Sequence, residues 1–195
     1  MKSPQSQTLR SRFPALLKGA APALAALVLL VLSMARAHGD DNRAPQVPQA
    51  IQVSPGNKVH FHGYAVGVQI YVWTVNPTNA AQASWVFKAP EAVLFSDAGG
   101  HGEIAIHYAG PTWESESGSK VVGAVLQRST PDSSAIPWLL LQAKTTHGPG
   151  IFERTTYIQR VNTVGGIAPA SPGTAAGQEA RVPYTAEYYF YRGAR

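Results

Sequence analysis

From Ile51 onward the chain consists of short apolar runs separated by polar punctuation, and several runs alternate apolar with polar at every second residue. The runs are "KVHFHGYAV", "VQIYVWTV", "ASWVFKA", "AVLF", "EIAIHYA", "KVVGAVLQ", "PWLLLQAKT", "TTYIQRV" and "YTAEYYFY", each bounded by Gly, Pro, Asn or Asp. Side chains of a strand point alternately to its two faces, so this period predicts half-buried strands; none of the runs holds a helical period for twelve residues. Turns are expected at "VNPTNAA", "SDAGGHG" and "THGPG", where Gly, Pro, Asn and Asp supply the backbone angles that reversals need. The last run places Tyr184, Ala186, Tyr188 and Phe190 on one face, with Thr185, Glu187, Tyr189 and Tyr191 on the other.

Nine short strands in one domain predict an all-β fold, a single antiparallel β-sandwich with a closed β-barrel as the alternative. Both architectures bury one face of every strand, so the alternation favours neither, and the sandwich is the expectation taken forward. Residues 167–180, "IAPASPGTAAGQEA", lack any period and read as a surface loop before the last strand. The expected organisation is a signal peptide over residues 1–37, a flexible polar segment over 38–49, and a single all-β domain over 50–195.

The leader changes the charge picture. Lys2, Arg10, Arg12 and Lys18 precede the apolar run Leu24 to Leu32, and "ARA" at residues 35–37 supplies small residues for cleavage after Ala37. An exported protein, periplasmic or secreted, with no membrane span after cleavage, is therefore expected. The whole chain has 16 basic and 11 acidic residues; five of the basic ones lie in the leader, which leaves 11 against 11. The sequence pI of about 9.6 thus belongs mostly to the leader. A near-neutral mature chain with no Lys/Arg run carries no footprint for nucleic acid. The absence of cysteine excludes disulfides, thiolate catalysis and Cys-based metal sites.

The chemistry-bearing candidates are few. "HYAGPTWESESGSKVVG", residues 107–123, holds a histidine, two glutamates and a Ser-x-x-Lys spacing at Ser117 to Lys120, but the companion Ser-Asp-Asn and Lys-Thr-Gly elements of that chemistry are absent. A strand break at Gly110-Pro111, a core Trp113 and a polar hairpin turn at "SESGS" account for the same residues. His60 and His62, two apart, would share a strand face and hold Zn or Cu if His107, or else His101 or His147, supplied a third ligand. Cleavage after Ala37 would leave His38 as an amino-terminal copper chelate. Arg160 and Asn162 would share a face and present a guanidinium fork to an anion, unless Glu91, Asp97 or Glu114 neutralises the arginine.

"GVQIYVW", "WVFKAPEAVLF", "HYAGPTWE", "GSKVVG", "AIPWLLLQAK", "YIQRVNTVGG" and "VPYTAEYYFY" occur in this order, and from about Pro48 to Tyr191 the chain resembles domain-of-unknown-function family 3455, exported proteins of bacteria and fungi. The resemblance implies one exported domain and no established reaction, cofactor or catalytic residue. It also implies cysteines where Trp73 and Ser171 stand here, so a disulfide tying the second run to the 167–180 loop is absent from this chain. A dehydrogenase label carried by some fungal relatives is contradicted by the lack of a Gly-x-Gly-x-x-Gly fingerprint and of alternating strands and helices.

The functional expectation is a non-enzymatic β domain binding an extracellular or envelope ligand, a saccharide or other small molecule, through Trp113, Trp138, Arg160 and Asn162. The alternatives are a metal-binding protein or metal-dependent enzyme built on His60, His62 and His107, and a structural envelope protein.

Overall fold

The computed structural model describes residues 43–194; the leader, its cleavage site and His38 lie outside the described residues. Eight strands follow a single 3-10 turn at Gln49–Ile51: β1 (Asn57–Asn76), β2 (Asn79–Phe95), β3 (Glu103–Tyr108), β4 (Thr112–Ser115), β5 (Lys120–Ser129), β6 (Trp138–His147), β7 (Tyr157–Gly165) and β8 (Glu179–Gly193). Each strand pairs antiparallel with its chain neighbours, and β8 returns to β1, which closes the sheet into a ring. The all-β antiparallel class therefore holds, in the form of the closed barrel rather than the expected sandwich. Closure pairs the first strand with the last, so the free edges that two stacked sheets would keep are reduced to stretches such as β2 before Ala92, which β3 does not reach.

Nine runs became eight strands for local reasons. "KVHFHGYAV" and "VQIYVWTV" are one strand, β1, because Gly67 does not end it. Gly67 lies opposite Ala92 on one side and Tyr184 on the other, and a Cβ there would sit 2.2 Å from the Glu91 carbonyl oxygen. The glycine lets two backbones come close inside a continuous strand. "ASWVFKA" and "AVLF" likewise join through Pro90 into β2. The added strand is the four-residue β4, between the strand break at Gly110-Pro111 and the polar turn that follows Ser115.

The lumen is filled from one end. Tyr184, Ala186, Tyr188 and Phe190 all point inward and are buried, as their alternation predicts. At the closed end Phe152, from the β6–β7 connection, is fully buried and packs edge-on against Phe61 at 5.9 Å and against Phe190 at 4.9 Å. Ser119 anchors this plug by accepting the Phe152 amide at 3.0 Å while its hydroxyl donates to the His147 carbonyl, and Ser117, the serine of the Ser-x-x-Lys spacing, is hydrogen-bonded to the Ser115 hydroxyl at 3.0 Å. Mid-barrel, Trp113 (1% exposed) meets Tyr188 and Phe190 edge-on. Outside the ring, Gln159 of β7 donates to the Ile51 carbonyl and accepts from Tyr191, which fastens the 3-10 turn over the wall.

The 167–180 loop is held without a disulfide. Trp73 Nα–H donates to the Gln178 carbonyl at 2.8 Å, Gly177 donates back to Trp73 at 2.9 Å, and Trp85 Nε1 donates to Ser171. The two indoles meet edge-on at 5.3 Å, and Gly173 lies so close beneath Trp73 that a Cβ would be 2.4 Å from its ring. An aromatic clasp thus stands where the family resemblance implied a cystine.

Gly67→Ala is expected to lower unfolding stability by about 1–3 kcal/mol, since the added methyl meets backbone rather than a movable side chain. Urea denaturation of the two proteins checks this; an unchanged midpoint would mean that the strands separate there at no cost.

Candidate functional site

The end of the ring opposite the phenylalanine plug is open. A cavity of about 430 Å³ enters the lumen there, and every strand contributes to its wall. Gln69 and Tyr71 come from β1, His107 from β3, Trp113 from β4, Arg160 from β7 and Tyr188 from β8. Phe87 and Val125, exposed and apolar, stand at the wall together with Leu139, Pro90 and Pro111. The charged lining is all of one sign, Lys88, Arg128 and Arg160, with no Asp or Glu. Lys88 is paired with Glu179, whereas Arg128 has no hydrogen bond or ion pair among the described residues.

Arg160 faces inward because it alternates with Gln159 and Val161 on β7, between Leu139 of β6 and Tyr188 of β8. It is 8% exposed, and its Nε and Nη2 both donate to one acceptor, the Pro137 carbonyl, at 3.2 and 2.8 Å. None of the three carboxylates expected as its partner is there. Glu91 pairs with Arg181 at 2.7 Å, Asp97 with His101 at 3.2 Å, and Glu114 with Lys120 at 3.0 Å. A buried guanidinium with a single neutral partner is an uncompensated charge, which costs several kcal/mol in a protein interior on the order-of-magnitude scale for such groups.

His107 is the second polar group of the wall. Its ring stacks on Trp113 at 4.2 Å and 5°, and Nδ1–H donates to the Thr112 carbonyl at 2.8 Å. Full burial pushes its pKa down to about 3, against the raising effect of that carbonyl, and the Arg160 charge lowers it further. The imidazole is therefore neutral, with Nε2 left as an acceptor. Two donors of the same wall lack acceptors: Trp113 Nε1, and Gln69 Nε2 although the Tyr184 hydroxyl lies beside it. The buried Tyr184 hydroxyl has its pKa raised by desolvation, so it too stays neutral.

The remaining sequence candidates lie elsewhere. Asn162 adopts φ 50° in a bulge of β7 and does not share the inward face of Arg160; it is exposed and donates to Glu187 Oε1 at 2.9 Å on the outer wall. The bulge adds residues to one strand, so the count of two that put Arg160 and Asn162 together fails there. Trp138 opens β6, half-buried, one residue before the lining Leu139. The three histidines do not converge: His60 donates from Nε2 to the Ile151 carbonyl, His62 donates to Glu187 and stacks on Tyr189 at 4.0 Å, and His107 is inside. A register shift between Val59 and Phe61 separates the first two. Among the described residues, no group of three or more His, Asp or Glu side chains is arranged to hold a metal. Also among the described residues, no helix is long and apolar enough to cross a membrane.

The residues that sequence reasoning passed over are Gln69, Tyr71, Phe87 and Arg128. For Gln69 and Tyr71 the signal was inward parity on β1, whereas register shifts at Lys88 and between Val125 and Gln127 break the parity and hid Phe87 and Arg128.

A family model described as "Protein of unknown function (DUF3455)" matches residues 54–192. No curated protein and no solved structure matches the chain.

The depressed His107 pKa fixes a pH dependence. Between pH 6.5 and about 3 the unfolded chain binds a proton that the folded ring refuses, so stability present above pH 6.5 is lost as pH falls, by about 1.4 kcal/mol per unit. Burial lowers His60 and His62 in the same direction. Chemical denaturation across this range should show a shallower slope for His107→Gln than for the native protein; identical slopes would mean that the imidazole titrates freely.

Proposed function

The chain belongs to the DUF3455 family, and we propose that it serves as an exported, non-enzymatic barrel that binds a small amphipathic anion in its open mouth. Export is read from the leader over residues 1–37. The observation that carries the ligand chemistry is Arg160, a guanidinium buried in an apolar lumen with only the Pro137 carbonyl as partner. A carboxylate or similar oxyanion brings the missing charge and accepts the guanidinium N–H groups that the carbonyl leaves over. Trp113 Nε1 and Gln69 Nε2 are further donors without acceptors beside the same space. Arg128, without an acidic partner among the described residues, adds attraction at the entrance.

The rest of the ligand is apolar. Phe87, Val125, Leu139 and the prolines offer hydrocarbon and ring faces, and about 430 Å³ lies within the range of about 300–1,000 Å³ for small-molecule sites. An uncharged saccharide matches this wall poorly, since it would need paired donors and acceptors where the lining supplies cations and hydrocarbon. Catalysis has little support: the neutral His107 has no acidic partner to orient it as a base, and Ser119 is engaged at the closed end.

Arg160→Met keeps the volume and removes the charge. The variant should lose affinity for an aromatic or medium-chain monocarboxylate by at least about tenfold, read by calorimetry or tryptophan fluorescence, with the melting temperature unchanged or higher. Asn162→Ala, on the outer wall, should bind as the native protein does. A lowered melting temperature with intact binding in Arg160→Met would make the arginine a structural strut for Pro137 and overturn the reading.

A further inference from the structure

At the closed end a second concavity, a groove of about 720 Å³, runs between the start of β1, the end of β8 and the β6–β7 connection. Arg43, Lys58, Arg154 and Arg192 line it, with Thr155 and Thr156 between them, and no Asp or Glu is part of the lining. These are four of the ten lysines and arginines between residues 43 and 194, against nine acidic residues over the same span. The concentration is therefore local, since the other six basic residues stand against all nine acids.

Two features make it more than an ordinary basic surface. Lys58 and Arg192 are directly opposite each other in the β1–β8 register, both exposed and neither in an ion pair among the described residues. Like charges facing across a strand pair destabilise it unless something of opposite sign lies between them. Arg154 holds φ 61°, a left-handed backbone that a long side chain adopts at a cost, and this sets its guanidinium at the same groove. Its own contact with Glu153 is a loose 3.6 Å between exposed groups.

We propose that this groove is a second ligand site that takes a doubly charged tetrahedral oxyanion, a phosphate ester group, between Lys58, Arg154 and Arg192. Forked guanidinium groups and an ammonium on three sides suit an ion with several equivalent oxygens better than a planar monocarboxylate. Of the apolar lining residues Val59 is buried and Ala194 carries only a methyl group, so no large apolar side chain is offered for insertion into a bilayer, and a soluble phosphorylated compound is the favoured source over a lipid headgroup. The site is independent of the mouth cavity, which lies at the other end of the ring.

The test uses the full chain with inorganic pyrophosphate as probe. Calorimetry and thermal melts at low salt should show binding and a raised melting temperature, both weakened at about 150 mM salt as charge screening requires. The Lys58→Ala/Arg192→Ala double variant should lose at least about tenfold in affinity and show no ligand-induced shift. Without ligand its melting temperature should equal or exceed the native value, because a repulsion has been removed. Lys144→Ala, exposed on β6 and part of neither concavity, should respond as the native protein does. Absence of binding by the native protein, or an equal shift in the double variant, would overturn the proposal. Co-sedimentation with phosphatidic acid vesicles separates the sources: capture lost in the double variant assigns a lipid headgroup, and pyrophosphate binding without capture assigns a soluble phosphate.

Discussion

Closure of the sheet is the constraint on which the rest of the molecule depends. Eight strands in a ring enclose a lumen of fixed width, and everything inside it must be supplied by inward-pointing residues. Small residues on several strands, Gly63, Ala65, Ala92, Ala105 and Ala186, make room for large ones on others, Trp113, Tyr188 and Phe190. The aromatic rings then meet edge-on or tilted, the arrangement that their quadrupoles favour. This packing is complete from the Phe152 plug up to Trp113. Beyond that level the inward residues are Arg160, Gln69 and Tyr71, and the filling stops.

Arg160 explains why it stops there. A guanidinium at that depth cannot be covered by hydrocarbon without losing its hydration, and the single Pro137 carbonyl replaces only part of it. The polar groups around it have adjusted: His107 is held neutral, Tyr71 donates to the Gly166 carbonyl, and no carboxylate shares the wall. An apolar side chain at residue 160 would carry no such desolvation cost among the same neighbours. The retained cation is thus hard to explain as packing and easy to explain as half of an interaction whose other half arrives from outside.

Much of the fold was legible because the period of two survives wherever a strand is regular. The inward face of β8, the core position of Trp113 and the turn after Ser115 could all be read from residue types alone. The failures share one cause, that local punctuation does not have a single meaning. Gly67 and Pro90 look like strand ends but occur within strands, where close backbone approach replaces a turn. The bulges near His60 and Asn162 shift the parity that had grouped His60 with His62 and Arg160 with Asn162. Ring closure is a pairing of the first strand with the last, and no local pattern encodes it. For the same reason the mouth cavity, assembled from every strand, was visible only as scattered residues, Trp113 and Arg160 among them.

The distribution of charge follows from the same architecture. The outer wall uses its carboxylates as lateral ties between strands: Glu187 accepts from His62, Asn162 and Tyr189, Glu114 from Tyr108 and Lys120, and Glu91 and Glu179 pair with Arg181 and Lys88. The Lys88, Lys120 and Arg181 ties neutralise their acids, whereas Glu187 keeps its charge among neutral donors. Cations without an acidic partner are left toward the two ends, Arg128 and Arg160 at the mouth, Lys58 and Arg192 at the closed end. A chain with nearly equal numbers of acids and bases thus gathers cations around two concavities whose linings hold no Asp or Glu. Concave surfaces with low-dielectric walls focus the field of such clusters. The chemistry argued for each end is in this sense one consequence of a ring whose acids hold its strands together.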